Sequence, residues 1–211
     1  MKTVSGTTED GVVVGNVFDK YGSRNPVVRW MMHGFESQLS RFVAAASPRS
    51  IHEVGCGEGY WVLRWLQQGI AARGCDFSSQ VIATARANAA RLGIDDSVFA
   101  VRSIYQLDAA QDRADLVVCC EVLEHLTDPE NALATLQRVV HKDLILSVPR
   151  EPLWRALNLA RGKYVRHAGN TPGHLQHWSR QGFVELVGRY FAVVETSSPL
   201  PWTMLHCKAR R

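Results

Sequence analysis

The stretch of sequence that decides the fold is Ile51-His52-Glu53-Val54-Gly55-Cys56-Gly57-Glu58-Gly59. A short apolar run enters three glycines in the pattern Gly-x-Gly-x-Gly, and a helical pattern follows over about 59–68. Glycine allows the backbone to turn tightly and a ligand to approach it closely. The N-terminus of the following helix offers unpaired N–H groups to an anionic group. The stretch therefore predicts a strand, a ligand-binding loop and a helix in succession.

An acidic residue ends the next predicted strand, 70–76. Asp76 follows Gly59 by 17 residues, and a carboxylate at the tip of a second strand can accept hydrogen bonds from both hydroxyls of a ribose. Glu53, beside the loop, would repel a pyrophosphate but suits a cationic or amine-bearing ligand. These residues predict a nucleoside-containing ligand at the carboxyl edge of the sheet, with NAD as a minor alternative.

Short apolar runs alternate with helical patterns after residue 50. The candidate strands are 51–54, 70–76, 97–101, 115–120 and 143–148, and the candidate helices are 59–68, 78–92 and 129–140. This alternation predicts a parallel sheet covered by helices on both faces. The last apolar segments, 191–196 and 202–207, flank a turn rich in serine and proline and predict an antiparallel pair that closes the sheet.

Two segments stand outside the alternation. Residues 1–48 contain a helical pattern from Pro26 to about Ala46, which we expect to cap the ligand site because no other partner is evident. Residues 49–211 form the core of the same single domain, and an insertion at 150–178 is expected to cover the substrate. Ser179 is predicted to cap a helix that runs to Tyr190.

The composition predicts an ordinary globular protein. The chain has 211 residues, 46% hydrophobic and 21% charged, and no uncharged apolar run approaches the roughly 18 residues that span a bilayer. The first residues lack the pattern of a secretory signal. The 5 cysteines include no Cys-x-x-Cys pair, which predicts reduced thiols in a cytoplasmic protein and disfavours a cysteine-built zinc site. A net charge of +4 makes nucleic acid an unlikely partner.

Three segments together resemble the class I S-adenosylmethionine-dependent methyltransferases. They are Glu53–Gly59, Gly74-Cys75-Asp76-Phe77-Ser78 and Asp115-Leu116-Val117-Val118-Cys119-Cys120-Glu121-Val122-Leu123-Glu124-His125-Leu126. The resemblance covers about residues 50–150, with the segments in family order and spacing. It implies an α/β, Rossmann-like, seven-stranded and mostly parallel sheet with helices on both faces and an antiparallel last strand pair. It also implies S-adenosyl-L-methionine as the cofactor and methyl transfer as the activity.

The resemblance implies a set of cofactor-binding residues: Glu53, Gly55, Cys56, Gly57, Gly59, Asp76, Phe77, Ser103, Ile104, Glu121 and Val122. The glycine loop would hold the amino-acid end of the cofactor, Asp76 the ribose and Phe77 the adenine. The acid that the family often places after the third strand is missing here, so Ser103 and the backbone of Ile104 are assigned to the adenine instead. Glu121 and Val122 would lie beneath the sulfonium.

A second group, Glu121-x-x-Glu124-His125, follows the predicted strand 115–120. His125 is placed for general-base work on a hydroxyl, or is a hydrogen-bonded structural histidine. Together with the distant His174, this group makes an oxygen and nitrogen set suited to a divalent cation.

That set looks like the one in the metal-dependent small-RNA 3′-terminal 2′-O-methyltransferases. Matching Trp178-Ser179-Arg180 to their Trp-Thr-Arg segment puts His174, not His177, in the metal position. The ubiquinone-biosynthesis O-methyltransferases share a similar Glu-x-x-Glu-His string, and many relatives carry it without a metal. Catalysis by His125 or His174 without a metal is therefore the favoured alternative.

The basic stretch 150–166 is a solvated helix face or a recognition surface for an anionic acceptor, because arginine suits the paired oxygens of carboxylate and phosphate. The candidate substrate residues are Tyr21, Arg150, Trp154 and His177. Tyr21 is also expected, with Trp30, to cover the cofactor as part of a lid.

The predicted function is methyl transfer from S-adenosylmethionine to a small-molecule, possibly anionic acceptor. Oxygen is the preferred target because histidines crowd the site, while N- and C-methylation stay open. One alternative is an RNA 2′-O-methyltransferase with a divalent metal, disfavoured by the modest net charge. Another is a catalytically silent S-adenosylmethionine-binding partner, disfavoured because Glu121, Glu124 and His125 would then be polar groups buried for no purpose.

Overall fold

The helices and strands follow the alternation expected from the sequence. A computed structural model describes residues 7–9, 12–14, 23 and 25–210. The strands are β1 (Thr7–Glu9), β2 (Val12–Val14), β3 (Ser50–Val54), β4 (Ala71–Asp76), β5 (Phe99–Val101), β6 (Ala114–Cys120), β7 (Val140–Pro149), β8 (Ala192–Ser197) and β9 (Trp202–Lys208). The helices are α1 (Pro26–Ala46), α2 (Tyr60–Gln67), α3 (Ser79–Arg91), α4 (Ala109–Asp112), α5 (Pro129–Val139), α6 (Leu153–Ala160) and α7 (Arg180–Gly188).

Seven strands form one sheet in the order β5-β4-β3-β6-β7-β9-β8. The first five of that order pair in parallel, and β9 runs antiparallel to both β7 and β8. This arrangement confirms the predicted Rossmann-like sheet and its antiparallel last pair. Within this sheet the chain begins at β3, moves outward to β5 and returns to β6 beside β3. A topological switch therefore lies between β3 and β6, and it opens a crevice at their carboxyl ends.

Two strands begin more than one residue away from the predicted position. β5 begins at Phe99 rather than residue 97, because Asp95 caps a 3-10 turn over Asp96–Val98. β7 begins at Val140 rather than residue 143, because Val140 pairs with Ala114 directly after α5 ends. β1 and β2 form a separate antiparallel pair that the residue pattern did not indicate.

α1 packs on one face of the sheet beside α2 and α3. Its apolar residues recur at intervals of three and four and bury one face of the helix, with Met32, Phe35, Leu39, Phe42 and Val43 in the same core as α2 and α3. The expectation that this helix lacks a partner other than the ligand is therefore wrong. Trp30 is 64% exposed, and Tyr21 lies outside the described residues.

The segment 150–178 has polar contacts of its own. The Asn158 amide donates to the Gly169 carbonyl (2.9 Å) and to Thr171 Oγ1 (3.1 Å), and Trp154 Nε1 donates to the same Thr171 oxygen (2.9 Å). Gly169 has a φ of +78°, and a Cβ there would lie 2.4 Å from the Arg155 carbonyl oxygen, so glycine is required. These bonds hold residues 169–171 of the segment against α6. None of the described helices has the length and apolar composition to span a bilayer.

Candidate active site

The loop after β3 adopts a conformation that its glycines permit. Gly55 and Gly59 have φ angles of +76° and +83°. A Cβ at Gly55 would lie 2.3 Å from Val122 Cγ2, and one at Gly59 would lie 2.5 Å from the Phe99 ring. The N–H groups of Gly55 and Cys56 both donate to the Cys75 carbonyl, at 2.8 and 3.0 Å. The loop is thus fixed between the ends of β4 and β6.

Asp76, the last residue of β4, faces this loop. One carboxylate oxygen accepts from the Gly57 N–H (3.2 Å), and the other accepts from the Ser78 N–H (3.0 Å). An ionised carboxylate has about four acceptor positions, so these bonds orient Asp76 and leave capacity for ribose hydroxyls. Ser78 also caps α3 by accepting from the Val81 N–H.

The residues assigned to the adenine surround the end of β5. Phe77 is 40% exposed, which leaves its ring available to a flat ligand. Ser103 caps a 3-10 turn over Ile104–Gln106, and Ile104 is buried. Arg102 donates to Asp112 at 2.6 Å and to Gln111 at 2.8 Å. Its guanidinium is therefore engaged within the chain, and Ser103 remains the polar side chain assigned to the adenine.

Carboxylates converge where β6 ends. Glu53 and Glu124 are buried, and Glu121 is half-buried. Burial above all, and then the charges of these three carboxylates, raise the pKa of the Cys120 thiol well above its ordinary value, although a hydrogen bond with Ser147 lowers it. The thiol is therefore protonated at neutral pH and is not a nucleophile. The accumulated negative charge suits a cationic ligand.

Glu124, His125 and His174 form a compact group. Each offers a ligand atom, and these atoms lie within 4.8 Å of one another. Glu124 and His125 belong to a 3-10 turn after β6, whereas His174 belongs to the segment 150–178. The backbone joins the two, because the N–H groups of residues 175 and 176 both donate to the Glu124 carbonyl, at 2.8 and 3.0 Å. The structure thus brings together three of the four residues suggested as metal ligands.

Glu121, the fourth residue suggested as a metal ligand, is hydrogen-bonded to other residues. Its carboxylate accepts a hydrogen bond from Ser147 Oγ (2.9 Å) and another from Trp202 Nε1 (2.7 Å). Both of its oxygens therefore face donors from β7 and β9. Glu121 does not belong to the group that the described residues form around Glu124.

The protonation of the two histidines follows from their contacts. His125 Nδ1 lies 2.9 Å from the Gly173 carbonyl oxygen. A carbonyl only accepts, so Nδ1 carries the proton and Nε2 is the acceptor atom. The His174 ring meets the His125 ring edge to face, with centroids 5.0 Å apart. Burial above all, and then the charges of His125 and His177, lower the pKa of His174 to about 3. His174 is therefore neutral at physiological pH.

The residues assigned to the acceptor are only partly brought together. Trp154 stacks on His174 with ring centroids 5.8 Å apart. Arg150 directly follows β7, and its backbone N–H donates to the Pro201 carbonyl. His177 is exposed, and its Nε2 lies 2.7 Å from Asn170 Oδ1. Tyr21 lies outside the described residues.

The contacts of one aromatic residue at the site, Trp202, were not predicted. Trp202 lies 5.1 Å from Phe35 and 6.0 Å from Trp154, measured between ring centroids. It connects α1, the last strand and α6. The apolar pattern marks Trp202 only as a position in a strand, and no signal in the sequence links it to Glu121.

Comparison with known proteins gives consistent matches. Residues 52–148 match the family model of the methyltransferase domain. The ubiquinone biosynthesis O-methyltransferase of Methylococcus capsulatus is 26% identical over 205 residues, covering 85% of this chain and 84% of that protein. The ubiquinone biosynthesis O-methyltransferase of Alkalilimnicola ehrlichii is 27% identical over 146 residues, covering 63% of this chain and 59% of that protein. The structure of the magnesium protoporphyrin IX methyltransferase of Synechocystis PCC 6803 with bound S-adenosylhomocysteine has a TM-score of 0.69 at 19% identity, covering 92% of this chain and 94% of that chain.

The sheet, the matched domain and these relatives define the class of the protein. Residues 52–148 carry the methyltransferase domain, and the fold around them is that of a class I S-adenosylmethionine-dependent methyltransferase. S-adenosylmethionine is its cofactor, and methyl transfer is its activity.

Proposed function

We propose that this enzyme methylates a hydroxyl oxygen of a small anionic molecule, with His125 as the general base. The observation that carries the proposal is the grouping of Glu124, His125 and His174 within 4.8 Å at the carboxyl edge of β6. This is the edge at which a cofactor in the crevice between β3 and β6 would present its methyl group.

The cofactor would lie along the tips of three strands. Asp76 would bind the ribose, with Phe77, Ser103 and Ile104 around the adenine. The loop residues Glu53, Gly55, Cys56, Gly57 and Gly59 would hold the amino-acid end, and Glu121 and Val122 would lie beneath the sulfonium. The fit is supported by the left-handed loop, in which a Cβ at Gly57 would meet no atom within 4 Å and so leaves open space above the backbone. Loops of this kind allow close approach of a ligand.

The cofactor supplies a methyl group already activated by positive charge, so the protein must position the acceptor and remove a proton. His125 suits the second task because its Nδ1–H is fixed on the Gly173 carbonyl, which makes Nε2, 4.0 Å from Glu124 Oε1, the basic nitrogen. His174, with a pKa of about 3, holds a proton poorly. Its role would be to orient His125 and the acceptor.

The acceptor would lie against Trp154, with Arg150 and the basic stretch 150–166 attracting its negative charge. The acceptor would also contact His177, and Tyr21 from the N-terminal segment 1–48. The insertion 150–178 would cover the bound acceptor. Both relatives are O-methyltransferases by name, which supports oxygen as the methylated atom.

The test is a panel of hydroxybenzoates and aliphatic hydroxy acids, each paired with its amine counterpart and its neutral amide. Transfer of labelled methyl from S-adenosylmethionine is measured for each compound. We expect transfer to hydroxyl compounds, with the anionic member of each pair preferred. Transfer to the amines alone contradicts O-methylation. Transfer to the 3′-terminal nucleotide of a short RNA, with none to the panel, would favour the RNA 2′-O-methyltransferase instead.

A divalent cation is the competing explanation of the same three side chains. Glu124, His125 and His174 present one carboxylate and two imidazoles, a donor set that suits a divalent metal. Such an ion would lower the pKa of the acceptor hydroxyl when bound. Full turnover in excess EDTA, with no gain from added magnesium, manganese or cobalt, is the result expected for a general base. Loss of turnover in EDTA and recovery with one of these ions would assign the group to a metal.

A further inference from the structure

A groove lies between α2 and α3, on the face of the sheet that also carries α1. Its volume is about 440 Å³, and its lining combines apolar, polar and basic side chains: Tyr60, Leu63, Arg64, Gln67, Asn88, Arg91 and Leu92. Two of these residues are positively charged and none is acidic. Leu92 is 50% exposed although it is apolar. A concave surface that combines apolar walls with positive charge is complementary to an organic anion.

The two guanidinium groups of the groove keep donors for a ligand. Arg64 Nη1 donates to Glu36 Oε2 at 3.3 Å and to Tyr60 Oη at 3.2 Å. Arg91 Nη1 donates to Asn88 Oδ1 at 3.2 Å. A guanidinium has five N–H donors. Among the described residues, the Nε and Nη2 atoms of both arginines have no hydrogen-bond partner, so they suit the paired oxygens of a carboxylate or phosphate.

Asn88 holds Arg91 in place and connects it to the glycine loop after β3. Asn88 is 3% exposed, and its side-chain nitrogen donates to the Glu58 carbonyl at 3.1 Å while its oxygen accepts from Arg91. An exposed arginine loses much side-chain entropy when it binds a ligand. The buried asparagine reduces this cost, because it already restricts the guanidinium of Arg91.

A second connection to the glycine loop runs through α2. Glu58 lies in the loop, and Tyr60, which lines the groove, is the first residue of α2 and directly follows Gly59. A ligand that contacts Arg64 and Arg91 would therefore restrict the first turn of α2 and, through Asn88, the Glu58 carbonyl. Both changes reduce the freedom of the loop that is proposed to hold the amino-acid end of the cofactor.

We propose that the groove between α2 and α3 binds a small organic anion with an apolar body, and that this binding raises the affinity for the cofactor. The carboxylate or phosphate of the ligand would accept hydrogen bonds from Arg64 and Arg91, and its apolar part would cover Leu63 and Leu92. Because the ligand orders the glycine loop in advance, the cofactor loses less freedom when it binds. This inference rests on the proposed placement of the cofactor. The groove shares no residue with the acceptor side at His125.

Titration calorimetry with hexanoate tests the site in the wild type and in the double variant Arg64→Gln/Arg91→Gln. We expect hexanoate to bind the wild type, with a dissociation constant about fivefold higher in the double variant, because each exposed ion pair contributes little by itself. Hexanamide, the neutral counterpart, should bind the wild type no more tightly than hexanoate binds the double variant. Arg113→Gln, which removes an exposed arginine before β6, is the matched control and should bind hexanoate like the wild type. Melting temperatures check that each variant folds.

The affinity for S-adenosylhomocysteine, with and without saturating hexanoate, tests the connection to the cofactor. We expect hexanoate to tighten cofactor binding about fivefold in the wild type, the lower end of the usual coupling between two sites, and to leave it unchanged in the double variant. The proposal would be overturned if hexanoate bound neither protein, bound both equally, or left the affinity for S-adenosylhomocysteine unchanged in the wild type. Failure of the wild type to bind S-adenosylhomocysteine at all would instead contradict the placement of the cofactor.

Discussion

The cofactor side and the acceptor side of the sheet edge are built from contacts of different range. On the cofactor side, Gly57 and Asp76 are hydrogen-bonded and 19 residues apart. On the acceptor side, His125 bonds Gly173 across 48 residues, and the Gln176 side-chain amide donates to the Leu126 carbonyl across 50. Longer loops cost more conformational entropy to close. The cofactor loop is thus fixed by local turn geometry, whereas the acceptor groups are fixed only when the segment 150–178 has docked.

His125→Gln alters the acceptor side of the site and has the largest expected effect, which is on kcat. Loss of a general base lowers kcat by about 10²–10⁴-fold, and the affinity for S-adenosylhomocysteine should not change, because the loop of β3 is untouched. Initial rates with labelled cofactor, together with calorimetry, measure both quantities. His33→Gln, on the exposed side of α1, is the control and should retain full turnover. Wild-type turnover in His125→Gln would show that His125 is not the general base.

Asp76→Ala alters the cofactor side of the site and is expected to weaken the affinity for the cofactor. Losing hydrogen bonds to a charged group costs about 1.5–3 kcal/mol, which corresponds to about a 10–150-fold weaker affinity. Both S-adenosylmethionine and S-adenosylhomocysteine should be affected, since they share the ribose. Calorimetry measures the loss, with the exposed Asp96→Asn as control. Unchanged affinity would show that Asp76 serves the loop alone.

The pH dependence of stability reports on His52, buried in β3 beneath the cofactor side. Burial above all lowers the pKa of His52 to about 4, although a hydrogen bond to the Asp112 carbonyl raises it. Unfolded histidine titrates near 6.5. Between those values the unfolded chain binds a proton that the folded chain lacks, so the free energy of unfolding falls as the pH drops, by about 1.4 kcal/mol per pH unit.

Urea unfolding of wild type and His52→Gln at several pH values measures this slope. Between pH 6 and 4.5 the variant should lose less stability per pH unit than the wild type, by about the contribution of one proton. Parallel curves would mean that the acid sensitivity arises elsewhere, for instance at His174.

Phe77→Ala has the smallest expected effect. Removing an aromatic ring that packs on another ring costs about 0.5–1.5 kcal/mol, or about two- to tenfold in affinity. The loss should be the same for S-adenosylmethionine and S-adenosylhomocysteine, and Phe77→Leu should recover part of it. An unaltered affinity in Phe77→Ala would move the adenine away from this side chain.

The range of the contacts also explains how much could be predicted from the sequence. The glycine loop, Asp76 and the sheet with its antiparallel last pair are encoded in short segments with local patterns, and they were predicted. Trp202 and Ser147 act through a contact with Glu121 that only the tertiary fold creates. The sequence grouped Glu121 with Glu124 because they are neighbours in one string, whereas the left-handed turn at Glu121 directs its carboxylate to β7 and β9. The packing of α1 was missed for the same reason, since its partners are distant in sequence.

A crystal structure with bound S-adenosylhomocysteine tests most directly whether the site is divided into a cofactor side at Asp76 and an acceptor side at His125. We expect both ribose hydroxyls to lie within hydrogen-bond distance, about 2.5–3.0 Å, of the Asp76 carboxylate. We also expect the sulfur to lie at the ends of β3 and β6, between Gly55 and Glu121, on the side that faces His125. A ribose bound away from Asp76, or a sulfur on the far side of the loop from Glu121 and His125, would contradict this placement of the cofactor.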